Sequence, residues 1–254
     1  MDDTSKVVLV TGSSRGIGAA IALLFAKHGA SLSLTGRNAE KLSEVAKKCK
    51  ENGAKQVLET IADVTKEEEL DRLVEQTIKT FGKLDVLVNN AGILILGNLD
   101  AYTSESFDAL MSTNVKAPMY LMKIAKSHLA ATKGNIVNLS SIGAFYNNST
   151  ALVYSMTKLC MNYITKSCVK DLSKDGIRIN AICPGPISTE IFDNSFTNEE
   201  KQGILEKYAS SLKGRVPTVE EAADLVFFLA SDKASMVTGE CMPFDGGVFV
   251  SSTT

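Results

Sequence analysis

An alternation restricts the fold more than any other feature of this chain. Short β-branched or apolar runs are separated repeatedly by stretches whose apolar residues recur at helical spacing. "KVVLVTG" reads as a strand, after which Ile17, Ala20, Ile21, Leu24 and Phe25 repeat at a 3.6 period up to Gly29. "SLSLTG" precedes a helix carrying Leu42, Val45, Ala46 and Cys49, and "QVLETIA" one carrying Leu70, Leu73, Val74, Ile78 and Phe81. "LDVLVNNAG" leads into a helix predicted over about 104–131, "NIVNLSS" into one over about 151–174, and "IRINAICPG" follows. The near-continuous apolar character of these runs demands burial on both faces, which parallel sheets provide. The expected fold class is α/β, a doubly wound parallel sheet of about seven strands flanked by helices, the last in "VTGECMPFDGG".

No linker, repeat or low-complexity tract divides the 254 residues, so 1–254 reads as one domain. The stretch from about 187 to 212 breaks the alternation with mixed polarity and isolated Phe192, Phe196 and Tyr208. A mobile substrate lid and a helical surface insertion both fit it. Net charge is −2 with no basic block, so neither nucleic acid nor an anionic membrane is expected as a partner. The opening "MDDTSKVVLVTG" lacks a basic stretch followed by a long apolar core, and no run approaches the ~18 apolar residues of a membrane helix. The five scattered cysteines form no CxxC pair, which suits reduced thiols, a cytoplasmic location and no metal site. His28 and His128 each fall late in a predicted helix and read as surface or helix-end residues.

In doubly wound sheets, ligands bind beyond the C-terminal ends of the strands. The first strand ends in "TGSSRGIG", where Gly12, Gly16 and Gly18 allow a tight turn and let a pyrophosphate approach N–H groups at a helix start. The spacing is GxxxGxG, neither the usual dinucleotide fingerprint nor a GK[ST] phosphate loop. Ser14, Arg15 and Ile17 complete that loop and are read with it as cofactor-binding. The second strand ends "LTGRN", with Arg37 and Asn38 where an acidic residue would hold the ribose 2′-hydroxyl of NAD. Arg37, with Arg15 as a second guanidinium, suits the 2′-phosphate of NADP(H). NADP(H) is the expected cofactor. In "VYSMTK", Tyr154 and Lys158 stand four apart, on one face of the predicted helix.

These features together resemble the short-chain dehydrogenase/reductase family, whose core is Rossmann-like. The resemblance runs over nearly the whole length: TGxxxGIG at 11–18, Asp63-Val64, "NNAG" at 89–92, Asn114, "SS" at 140–141, YxxxK at 154–158, "PG" at 184–185 and "DGG" at 245–247. It implies that Tyr154 is the acid/base and that Lys158 tunes it and holds the nicotinamide ribose. Physically, the Lys158 cation should favour phenolate and bring Tyr154 towards working pH. Of the two serines, Ser141 stands thirteen residues before Tyr154 (154 − 141 = 13) and is the expected substrate-oxygen donor; Ser140 is expected to be structural. Asn114 completes the implied catalytic set, holding a water on the proton path. Pro118, four residues on, has no N–H to bond the Asn114 carbonyl and should free it for that water. The resemblance also implies that Asp63 and Val64 hold adenine and that Asn90, Ala91 and Gly92 border the cofactor. Asn89 would brace the sheet, while Pro184, Gly185, Ile187 and Thr189 would grip the nicotinamide end.

The pocket walls, "ILIL" at 93–96, "IGAFY" at 142–146, and Ile191, Phe192 and Phe196, are mostly apolar. A small lipophilic ketone or secondary alcohol is therefore expected as substrate. A 3-oxoacyl-thioester reductase is the alternative enzyme. An NADP(H)-binding regulatory protein is the non-enzyme alternative. The family resemblance implies a homotetramer or homodimer; Met119, Met122 and Met161 could serve either that contact or the core.

Overall fold

A computed structural model describes residues 6–209 and 211–251. Seven strands are separated by helices in the expected order. They are β1 (Val7–Thr11), β2 (Ser31–Gly36), β3 (Gln56–Ile61), β4 (Val86–Asn89), β5 (Asn135–Leu139), β6 (Arg178–Pro184) and β7 (Cys241–Phe244). All pair in parallel, in the order β3-β2-β1-β4-β5-β6-β7. The direction of winding reverses between β1 and β4, and in such sheets the crevice beyond the strand ends at that point receives the ligand.

The helices are α1 (Gly16–Lys27), α2 (Ala39–Glu51), α3 (Glu67–Phe81), α4 (Ser104–Met111), α5 (Ala117–Thr132) and α6 (Leu152–Ser167). They continue with α7 (Val169–Ser173), α8 (Glu190–Ser195), α9 (Asn198–Tyr208), α10 (Val219–Ala230) and α11 (Val248–Ser251). Period-two alternation along β1 divides its side chains between two cores. Val8 and Val10 pack with Phe25 of α1, Leu42 of α2 and Val226 of α10. Val7 and Leu9 face the opposite layer, with Leu73 of α3, Leu121 of α5 and Ile164 of α6.

Three elements depart from the sequence-based expectation, the simplest being the helix expected over about 151–174, which is divided at Cys168 into α6 and α7. The helix expected over 104–131 is broken into α4 and α5 by a π-turn, Ser112–Lys116, in which the Ala117 N–H reaches back to the Ser112 carbonyl. Pro118 offers no N–H to Asn114, so the regular ladder cannot run through this point and one extra residue is accommodated. The helix α10 was not anticipated. Its signal was present: Thr218 and Glu221 form a capping box, with the Glu221 N–H donating to Thr218 Oγ1 at 3.2 Å and the Thr218 N–H to Glu221 Oε2 at 3.0 Å, before an apolar run. The 187–212 stretch contains α8 and the capped α9, which ends on the buried Tyr208. The side chain of Phe192 lies outside the described residues.

Met119 is half exposed, whereas Met122 and Met161 are buried and belong to the core. The two histidines are helix-end and helix-flank residues; His28 caps α1 and stacks on Phe227 at 4.3 Å. Among the described residues no helix is long and apolar enough to cross a membrane.

Candidate active site

The glycine loop begins as β1 ends, and its shape is set by what cannot be added to it. Gly12 and Gly16 have φ of +64° and +56°, in the left-handed region. A Cβ on Gly18 would stand 2.4 Å from Asn90 Nδ2 and 2.5 Å from the Gly12 carbonyl oxygen. Asn90 locks the loop from the β4 side, donating through Nδ2 to the carbonyls of Thr11 at 2.8 Å and Gly12 at 3.0 Å. The α1 N-cap is Arg15, whose side chain does not cap the helix, and the first turn carries no acid. The first N–H groups of α1 are thus left to an anion, with the helix dipole in favour. This cradle fits a dinucleotide pyrophosphate.

The cleft that starts here has a volume of about 820 Å³. Its walls bring together Gly12, Ser14, Arg15, Gly16, Ile17, Arg37, Asp63 and Val64 at one end. Asn90, Ala91, Gly92, Ser141, Tyr154, Lys158, Pro184, Gly185, Ile187 and Thr189 follow towards the other. Three expected site residues lie just behind the wall. Gly18 is packed against Asn90, Asn38 caps α2 by accepting from the Lys41 N–H at 2.9 Å, and Asn114 is buried. Asp63 accepts from the Thr65 N–H at 3.0 Å and the Thr65 hydroxyl at 2.8 Å. The Thr65 N–H is the main reason its carboxyl sits below the usual range, with Arg37 adding to the effect. Asn89 Nδ2 donates to Asn138 Oδ1 and Asn138 Nδ2 to Thr165 Oγ1, both at 2.9 Å, so Asn89 does brace the sheet against α6.

The helix α6 presents Tyr154 and Lys158 on one face, with Lys158 Nζ 5.5 Å from the phenol ring centroid. The ammonium donates to the Leu139 carbonyl at 2.9 Å, and Ser140 Oγ donates to the Lys158 carbonyl at 3.2 Å, fixing that turn of α6 to the end of β5. Ser141 Oγ accepts from the Gly143 N–H at 3.1 Å and faces the same cleft as the Tyr154 phenol. Asn114 clamps the site from behind. Its Oδ1 accepts from the Ile93 N–H at 2.9 Å, and its Nδ2 donates to the Ile93 carbonyl at 2.9 Å and to Thr157 Oγ1 at 3.1 Å.

Among the side chains, desolvation dominates the pair. Burial pushes the Tyr154 phenol up to about 12, and Ser141 pulls it down. Burial also brings the Lys158 ammonium down to about 8. Desolvation outweighs the attraction of a cation that spends its hydrogen bond elsewhere. The side chains alone therefore keep Tyr154 protonated, ready to donate.

Two residues at the cofactor end escaped the sequence reading. Glu190 of α8 pairs with Arg15 and, at 2.9 Å, with Lys41 of α2, tying the segment after β6 to both cations. A lone glutamate after "PGPIST" and a lysine in a solvated helix carry no local signal; only the fold makes them neighbours. Among the described residues, no group of three His, Cys, Asp or Glu stands together as metal ligands would.

A parallel sheet with a glycine cradle at its switch point, opening onto a serine, a tyrosine and a lysine, defines a nicotinamide-dependent oxidoreductase. The profile of a family described as "Enoyl-(Acyl carrier protein) reductase" matches residues 12–249. An uncharacterized oxidoreductase of Thermotoga maritima is 36% identical over 250 residues, covering 97% of this chain and 98% of that protein. A tropinone reductase homolog of Arabidopsis thaliana is 34% identical over 248 residues, covering 97% and 92%. The crystal structure of levodione reductase superposes with a TM-score of 0.91 at 31% identity, covering 97% of this chain and 98% of that one. The chain belongs to the short-chain dehydrogenase/reductase family.

Proposed function

We propose that this protein is an NADP(H)-dependent reductase of small lipophilic ketones, or an oxidant of the matching secondary alcohols. The observation that carries the cofactor choice is the charge at the adenosine end. Arg15, Arg37 and Lys41 gather beyond β2, and no acid of β2 or its following turn is there to hold a ribose 2′-hydroxyl. Gly12, Gly16 and the N-terminus of α1 hold the pyrophosphate, and Asp63 and Val64 flank adenine. Pro184, Gly185, Ile187 and Thr189 border the nicotinamide end. The bound nicotinamide supplies or accepts the hydride.

This chain's own residues handle the proton. Ser141 donates to the substrate oxygen and stabilises the charge that develops there. Tyr154, kept protonated by burial, gives its proton to that oxygen in reduction. Lys158 replenishes the phenol through a proton path that ends at the Asn114 carbonyl, which the π-turn and Pro118 leave without a regular helical donor. The apolar wall of Ile93, Leu94, Leu96, Ile142, Ile191 and Phe196 selects a lipophilic body.

A 3-oxoacyl-thioester reductase is the second reading; the description of the matching family shares its acyl carrier protein but names reduction of a carbon–carbon double bond. A regulatory protein without turnover is disfavoured, because Asn114, Ser141, Tyr154 and Lys158 are all present and assembled. We infer a cytoplasmic location and a homotetramer or homodimer. Exposed Met119, Met156, Leu159 and Tyr163 on α5 and α6 support a self-contact there.

Cofactor choice is tested by titrating NADPH and NADH into wild type and Arg37→Asp. Wild type should bind NADPH at least about tenfold more tightly, as expected for a charge-assisted pair. Arg37→Asp should reverse the order. Equal binding of both cofactors by wild type would refute the assignment.

A further inference from the structure

The pocket has a second polar end. Past Ser141 and Tyr154 its wall runs through Ile142 and Gly143 to Tyr146, Asn148 and Thr150. Asn148 Oδ1 is doubly occupied, accepting from the Thr150 N–H at 3.2 Å and the Thr150 hydroxyl at 2.8 Å. That leaves the amide NH₂ as the donor Asn148 can turn towards Tyr146, its neighbour on the same wall, and Asn148 offsets part of the desolvation that raises this phenol. From behind, the Tyr146 ring rests on Phe249 at 5.9 Å, and the Phe249 N–H is held by Asp245 Oδ2 at 2.6 Å. Tyr146 also lies close enough to Tyr154 to influence its titration.

A phenol oxygen that accepts from an amide retains its own proton to donate. Here the ring is braced by Phe249 with Asn148 on the same wall, and Ile142, Ile191 and Phe196 form the apolar part of the cavity. A donor so placed discriminates by what it would lose: a ligand with no acceptor at that point leaves it unpaired.

We propose that Tyr146, oriented by Asn148, is a specificity-determining donor for a second oxygen on the substrate. The preferred substrate is then a compact diketone or hydroxy ketone, bound at one oxygen by Ser141 and Tyr154 and at the other by Tyr146. This rests on the reductase reading above and narrows its substrate class.

The test is kcat/KM with NADPH for matched pairs of one and two rings: cyclohexane-1,4-dione against 4-methylcyclohexanone, and decalin-1,5-dione against 1-decalone. In at least one pair, wild type should favour the dione by about fivefold beyond the statistical factor of about two for its two carbonyls. Tyr146→Phe should erase that preference, its rate with the dione falling at least about fivefold further than its rate with the monoketone, and Asn148→Ala should weaken it. No preference in wild type, or an equal loss on both substrates in Tyr146→Phe, would overturn the proposal.

A second readout needs no turnover: calorimetric binding of the corresponding diols and mono-ols to the NADP⁺-loaded protein. Equal affinities in wild type would overturn the second contact. A diol preference abolished by Tyr146→Phe, with no ketone reduced, would uphold the contact and sink the reductase reading instead.

Discussion

Tyr154 and Lys158 owe their chemistry to burial as much as to each other. Lys158 is almost fully enclosed, and its ammonium is brought from 10.5 down to about 8 by desolvation. A cation whose folded value lies below its unfolded one destabilises the fold, fully at pH values below about 8. The penalty fades as pH rises towards 10.5, where both states are neutral. Lys158→Met should therefore raise the melting temperature by several degrees at pH 7 and by little at pH 10.5, while abolishing turnover. Thermal unfolding at the two pH values checks this. Tyr208 offers a companion case. Its hydroxyl is buried against Gly185 and has no hydrogen-bond partner among the described residues. Tyr208→Phe removes an unsatisfied polar group and should stabilise the protein by about 1 kcal/mol in denaturant unfolding. Both residues could be picked out in the sequence, one by the YxxxK spacing and one as an isolated aromatic. Their energetics could not, because burial depends on what the rest of the chain packs around them.

Elements were legible where one period ran unbroken. The runs "VVLVT", "SLSLTG" and "NIVNL" became β1, β2 and β5, and the apolar stripes of α1, α2 and α3 fell where expected. The π-turn was only half visible. Pro118 announced a defect in the ladder, but whether the chain would kink or absorb an extra residue depends on the clamp from Asn114 to Ile93 and Thr157, which joins three separate segments. Glu190 acts at the scale of α8, whose first residue reaches across to Arg15 and Lys41 and competes with any phosphate for them. Those cations hold its carboxyl below the usual range, Lys41 first, so it is ionised across the working pH range. Glu190→Gln should tighten NADPH severalfold and leave NADH nearly unchanged, a difference that fluorescence titration at low and high salt would read. Equal tightening for both cofactors would mean that Glu190 acts through the position of α8 rather than on the phosphate.

At the scale of the molecule, the order β3-β2-β1-β4-β5-β6-β7 puts the ends of β1, β4, β5 and β6 along one rim. The glycine cradle, "NNAG", Ser141 and "PG" are far apart in the chain, yet they line one cleft because each follows a parallel strand at its C-terminal end. That is why the site is legible in the sequence motifs. What could not be assembled were contacts made by solvated helices and by the stretch after β6, where no strand dictates position. The proposed reaction turns on a proton given by Tyr154 while NADPH gives hydride. The most direct test follows NADPH absorbance with a panel of lipophilic ketones, diketones and 3-oxoacyl thioesters, comparing wild type with Tyr154→Phe and using NADH as control. Turnover by wild type with NADPH, a loss of at least about a thousandfold in Tyr154→Phe and unchanged NADPH binding are the predicted result. Undiminished turnover in Tyr154→Phe, or rates with NADH equal to those with NADPH, would contradict it.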